Sequence, residues 1–98
     1  MTAEARRTLA VIRECLETDH YALTVHFSHR MEQRGLFWPD VQAVLDDPSE
    51  VRGQGMDDYN RPKWIIVGQA VIGVEIEIVC AVEIDDTETE FITLYWED

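Results

Sequence analysis

Cysteine is scarce in this 98-residue chain: Cys15 and Cys80 are the only two, too few for a disulfide framework. Long apolar runs are missing as well. The longest, around Trp64–Val67 and Ile76–Val82, fall far short of the ~20 residues that span a bilayer, so no membrane association is expected. The opening segment, MTAEARRTLAVIRECLET, has no long apolar core and no small-residue cleavage site. It reads as an amphipathic helix and not as a signal peptide, so a cytoplasmic chain with both thiols reduced is expected. Basic residues are absent from the C-terminal quarter. Residues 74–98 hold 9 acids and no Lys or Arg, against 11 acids and all 8 basic side chains in residues 1–73. The resulting net charge of −12 disfavours non-specific nucleic-acid binding, because phosphates are repelled, and it suits docking on a basic partner. There is no internal repeat, no low-complexity tract and no glycine loop leading into a helix; the 5 glycines are scattered, which excludes a phosphate-cradling loop of that kind.

What remains is the composition of a folded protein, 46% apolar and 29% charged, which argues against disorder. The length fits one domain over residues 1–98. Ala5, Leu9, Ile12 and Leu16 recur at helical spacing within Ala3–Glu17. Tyr21–Thr24 is short and extended. Thr24 caps a second helix, Val25–Arg34, which Gly35 stops. There Phe27 and Met31 face the core, while His26, Arg30 and Arg34 form a separate stripe, each four residues from the next. Pro39 and Asp40 start a third short helix with Val41, Val44 and Leu45 as its apolar stripe, ended by Pro48.

The second half reads as strands: Ser49–Gln54, Arg61–Gly68, Val74–Ile84 and Glu90–Trp96, with Gly55–Asn60 a polar loop. Even positions of Val74–Ile84 are all apolar, while odd positions carry Glu75, Glu77 and Glu83. This alternation marks a strand with one face buried on helices and the other partly open. In the last strand, Ile92, Leu94 and Trp96 share one face, and Phe91, Thr93 and Tyr95 the other. The expected fold is α+β, with N-terminal helices packed on one face of a four-stranded, mainly antiparallel sheet. The open face is the natural place for a site.

The sharpest chemical constellation is His26, Arg30 and Arg34, joined by Arg61 and Lys63 at a strand start and by Thr93 and Tyr95 on the last strand. RNA cleavage by its own 2′-hydroxyl needs a base, an acid and cations for the charge growing on phosphorus. His titrates near neutrality, Arg grips phosphate oxygens, and Tyr donates a proton or stacks a base. Such a set needs no metal and no cofactor. The same stripe also reads as a solvated helix face, salt-bridged to Glu75, Glu77 or Glu83. His26 and His29 make a weak metal pair, without Cys or Glu partners at set distances. Cys80 falls on the all-apolar strand face and reads as a core thiol.

The run Tyr21-Ala-Leu-Thr-Val-His26-Phe-Ser-His-Arg30-Met31-Glu-Gln-Arg34-Gly35-Leu36, with Asp40-Val41 and Val44-Leu45-x-x-Pro48, resembles the bacterial family catalogued as domain of unknown function 4258. Arg61-Pro62-Lys63-Trp64 and Ile92-Thr93-Leu94-Tyr95 fit as well. The resemblance covers roughly residues 20–96. That family is similar in layout to the RelE/ParE-like and MqsR-like toxins of toxin–antitoxin pairs. The resemblance therefore implies a RelE-like sheet and a toxin-like, metal-independent endoribonuclease of the mRNA interferase type, or an inactive descendant of one, with an antitoxin protein as partner and RNA as substrate. By matching position it implies His26, Arg30, Arg34 and Tyr95 as catalytic residues, with Arg61, Lys63 and Thr93 binding substrate. Such toxins are usually basic, and this chain stands at −12. The alternative is a non-catalytic, acidic protein-interaction domain on the same scaffold, binding a basic protein or its own copy as a homodimer. Cations gathered around an open pocket favour the first reading; cations each neutralised by a carboxylate favour the second.

Overall fold

In the computed structural model, which describes residues 1–96, the chain runs α1 (Ala3–Glu17), β1 (Tyr21–Leu23), α2 (Val25–Arg34), α3 (Trp38–Asp46), β2 (Glu50–Met56), β3 (Pro62–Gln69), β4 (Glu75–Val82) and β5 (Thr89–Trp96). Each helix has the start that its sequence signals. Thr2 and Thr24 accept from the amides of Ala5 and Phe27 at 3.0 Å, capping α1 and α2. α2 ends at Gly35, which takes the left-handed conformation (φ 66°). The Leu36 amide then donates back to the Met31 carbonyl at 2.9 Å, and Leu36 folds under the helix end and is buried. α3 carries Pro39 in its first turn, and the Asp40 carboxylate reaches back to the Phe37 amide at 2.8 Å. The other oxygen of Asp40 accepts from the Val71 amide at 3.0 Å, tying the β3–β4 turn to this helix.

The strands form one five-stranded sheet in the order β1-β5-β4-β3-β2. Four are antiparallel neighbours, as the alternation predicts. The fifth corrects the four-stranded expectation: Tyr21–Leu23 pairs in parallel with Thr89–Phe91. The extended segment read at Tyr21–Thr24 is there as β1; what three residues could not announce is their place in the sheet, which is set by the edge that β5 offers. The first long strand also runs further than expected, taking in Gly55 and Met56, with a register shift between Gly53 and Met56.

One sheet face carries the helices. Ile76, Ile78 and Cys80 of β4, Trp64 and Ile66 of β3, and Phe91 and Leu94 of β5 pack with Leu9, Ile12, Phe27, Val41, Val44 and Leu45 in one core. Each such side chain contributes about 1.5–3 kcal/mol by leaving water. Gly68 lets α3 lie close over β3: an added Cβ would meet a Val44 methyl at 3.2 Å, a tight contact that Val44 would have to yield to. The face assignment in β5 needs correction. Val79 pairs with Thr93 but Cys80 with Phe91, so a bulge at Ile92 inverts the alternation. Phe91 therefore lies in the helix-side core with Leu94 and Trp96, packed among Phe27, Tyr21 and Trp38.

Candidate functional site

Among the described residues the opposite sheet face carries no helix. On it, Ile65, Val67 and Val79 form a small apolar floor of their own. A groove of about 990 Å³ lies over this floor, walled by side chains of β2 to β5 and by the β2–β3 loop. Its charged residues are Arg52, Arg61 and Lys63 against Asp57, Asp58, Glu77, Glu83 and Glu90, three cations facing five carboxylates.

Strand alternation and pairing register bring these groups together. Pairing of Val79 with Thr93, Glu77 with Tyr95, and Ala81 with Glu90 sets the outward residues of β4 beside those of β5. Arg61 enters from the turn before β3. The β2–β3 loop closes on itself: Asp57 accepts from the Tyr59 amide at 3.0 Å and the Arg61 amide at 2.8 Å. Asp57 also accepts from Arg61 Nε at 2.8 Å and pairs with its Nη2 at 2.7 Å. The same guanidinium reaches Glu83 at 3.3 Å and Glu90 at 2.9 Å. Its side chain is only 13% exposed, so these contacts are poorly screened. Burial opposes its charge, yet the hydrogen bonds it donates to Asp57 and Glu90 outweigh that and raise the Arg61 pKa. Burial likewise pushes Asp57 up, but the Arg61 and Tyr59 amides and the Arg61 guanidinium hold it below the ordinary carboxylate value. Arg52 pairs with Glu50, and with Glu77 at 3.9 Å.

Lys63 lines the groove without an ion pair among the described residues. Thr93 lies on the groove floor, 7% exposed, and its hydroxyl has no hydrogen-bond partner among the described residues.

The seven residues of the sequence constellation thus separate. Arg61, Lys63, Thr93 and Tyr95 line the groove. Arg30 stands at its margin, with its guanidinium 5.5 Å from the centre of the Tyr95 ring. Its Nε is committed to the Leu94 carbonyl at 3.0 Å, and beside it Thr24 Oγ1 donates to the Ile92 carbonyl at 2.7 Å. These two side chains of the α2 region finish the edge of β5 where β1 stops. Arg34 stacks at 5.9 Å over Trp96 on the helix side. His26 is exposed and lies outside the groove lining, and its imidazole has no hydrogen bond among the described residues. No group of three His, Cys, Asp or Glu that could hold a metal occurs among the described residues. Cys80 is fully buried in the core, and burial pushes its thiol up to about 12.

Asp57 and Glu90 were not among the sequence candidates. Asp57 had a local signal, its i,i+4 spacing to Arg61. Glu90 had none, because its role follows from the pairing of β5 with β4.

Among the described residues no helix is long and apolar enough to cross a membrane. Comparison with curated proteins and with solved structures finds no match. The family described as Domain of unknown function (DUF4258) matches residues 23–96, a span that holds the α2 stripe and every groove-lining residue, and the chain belongs to that family.

Proposed function

We propose that this chain is a cytoplasmic protein-interaction domain on a RelE-like scaffold, whose groove receives a basic segment of a partner protein and does not cleave RNA. The observation that carries the reading is the state of Arg61. A cation that stabilises a phosphorane must have donors free to meet charge as it grows. Arg61 spends its guanidinium on Asp57, Glu83 and Glu90, and five carboxylates against three cations repel a polyanion from the groove. The imidazole of His26, the natural acid or base, lies outside the lining. The same carboxylates attract lysine and arginine side chains, and a basic antitoxin-like protein is the partner class that the toxin-like layout suggests.

One observation favours the second reading, a metal-independent endoribonuclease: Arg30 sits 5.5 Å over Tyr95, and Tyr95 lines the groove that Lys63 and Thr93 also line. The two readings separate in one experiment. The purified chain is incubated with single-stranded RNA in the presence of a chelator, and separately titrated with a fluorescent arginine-rich peptide. The proposal expects intact RNA and salt-sensitive peptide binding that weakens in Glu77→Gln. RNA cleavage that disappears in Tyr95→Phe or His26→Ala would overturn it.

A further inference from the structure

The sheet has two rims, and they are finished differently. At the β5 rim, β1 pairs with Thr89–Phe91, and Thr24 and Arg30 occupy the next carbonyls. The β2 rim has no such cover. Among the described residues no strand pairs with its outer side, and no helix or loop backbone hydrogen-bonds to it. An uncovered edge strand is a template for another strand.

We propose that β2 joins a second copy of this chain, antiparallel about a two-fold axis through Val51, so that two five-stranded sheets become one continuous sheet. The charges select this register. Residues directly opposite in an antiparallel pair share a face, so a two-fold axis must pass through a residue position. Glu50 to Gly53 pair regularly with β3, and the register shift comes after them. An axis through Glu50 sets Glu50 against itself, and an axis through Arg52 sets Arg52 against itself; both oppose like charges. An axis through Gly53 sets Arg52 against Gln54 and Glu50 against Met56, with no charge pair at all. Only the axis through Val51 sets Glu50 opposite the second copy's Arg52 and Arg52 opposite its Glu50. These two side chains already pair within one chain and are each 46% exposed, so exchanging partners costs little desolvation. Val51, 8% exposed on the core side, meets its own copy and extends the apolar layer.

The interface goes beyond the proposed groove function and needs no peptide or RNA to test. Sedimentation velocity of the full chain, from micromolar to sub-millimolar concentration at physiological salt, should show a concentration-dependent dimer. Glu50→Arg and Arg52→Glu should each weaken it by roughly tenfold or more, because each places like charges opposite one another twice. Glu50→Arg/Arg52→Glu together should restore it. An equimolar mixture of the two single variants should form a heterodimer, which also shows that both are folded. A wild-type monomer at every concentration, a dimer indifferent to both reversals, or single variants that fail to associate on mixing would each overturn the proposal.

Discussion

Replacing Arg61 with methionine keeps most of the side-chain volume and removes the charge that three carboxylates share. Asp57 would keep its two backbone amide donors but lose its counter-ion. Breaking a buried ion pair by removing one partner costs ~3–5 kcal/mol. Arg61 and Asp57 are 13% and 8% exposed, but Glu83 and Glu90 are 43% and 34% exposed, and water screens their share. The expected loss at neutral pH is therefore about 2–3 kcal/mol, a fall in Tm of about 10–20 °C for a domain of this size. The loss should depend on pH, with a sign that follows from the pKa shifts. Asp57 in the native protein titrates below its ordinary value. Its contribution is thus complete above the unfolded pKa and lost only as pH falls through the lower folded one. In Arg61→Met the Asp57 carboxylate loses its counter-ion and faces Glu83 and Glu90 uncompensated, which raises its folded pKa, so the variant regains stability as acid protonates it. Urea unfolding of both proteins at several pH values should show a deficit that shrinks from pH 7 toward about pH 4. An equal deficit at both ends would assign the cost to packing, and a loss under about 0.5 kcal/mol would refute the reasoning.

Arg30→Ala leaves the Leu94 carbonyl without its side-chain donor; it should lower stability by about 1–2 kcal/mol and speed amide exchange in Leu94–Trp96. Asp40→Asn can accept only one of the two bonds from Phe37 and Val71, for an expected loss of about 1–3 kcal/mol read by thermal unfolding. Cys80, fully buried with its pKa near 12, should resist iodoacetamide at pH 8 until denaturant is added, and so should buried Cys15.

The helices were legible because local rules set them. Thr24, Gly35 and Pro39 mark their ends, and Phe27, Val41 and Val44 mark their buried sides. The long strand was legible from the alternation of Ile76, Ile78 and Cys80 with Glu75 and Glu77. The extended state of Tyr21–Leu23 was legible too, but its place in the sheet was not, since three residues pair only because an edge is there to receive them. Nor was the face of Phe91, because one bulged residue at Ile92 inverts the parity of the strand before it. The site divides in the same way. Arg61, Lys63, Thr93 and Tyr95 were found from residue type, and all four line the groove. The fate of Arg61 depended on Glu83 and Glu90, which are distant in sequence and meet it only through strand register. Arg30, singled out as a catalytic candidate, donates to a sheet-edge carbonyl, a contact invisible until β5 is known to lie beside α2.

The most direct test of the carboxylate-walled groove is an NMR titration of the isotopically labelled chain, first with an arginine-rich peptide and then with single-stranded RNA. The account predicts that the peptide moves resonances of Arg61–Ile65, Glu77–Val79 and Thr93–Tyr95, and that RNA moves none of them. Shifts at Lys63, Thr93 and Tyr95 on adding RNA, with the peptide leaving the groove unchanged, would contradict it.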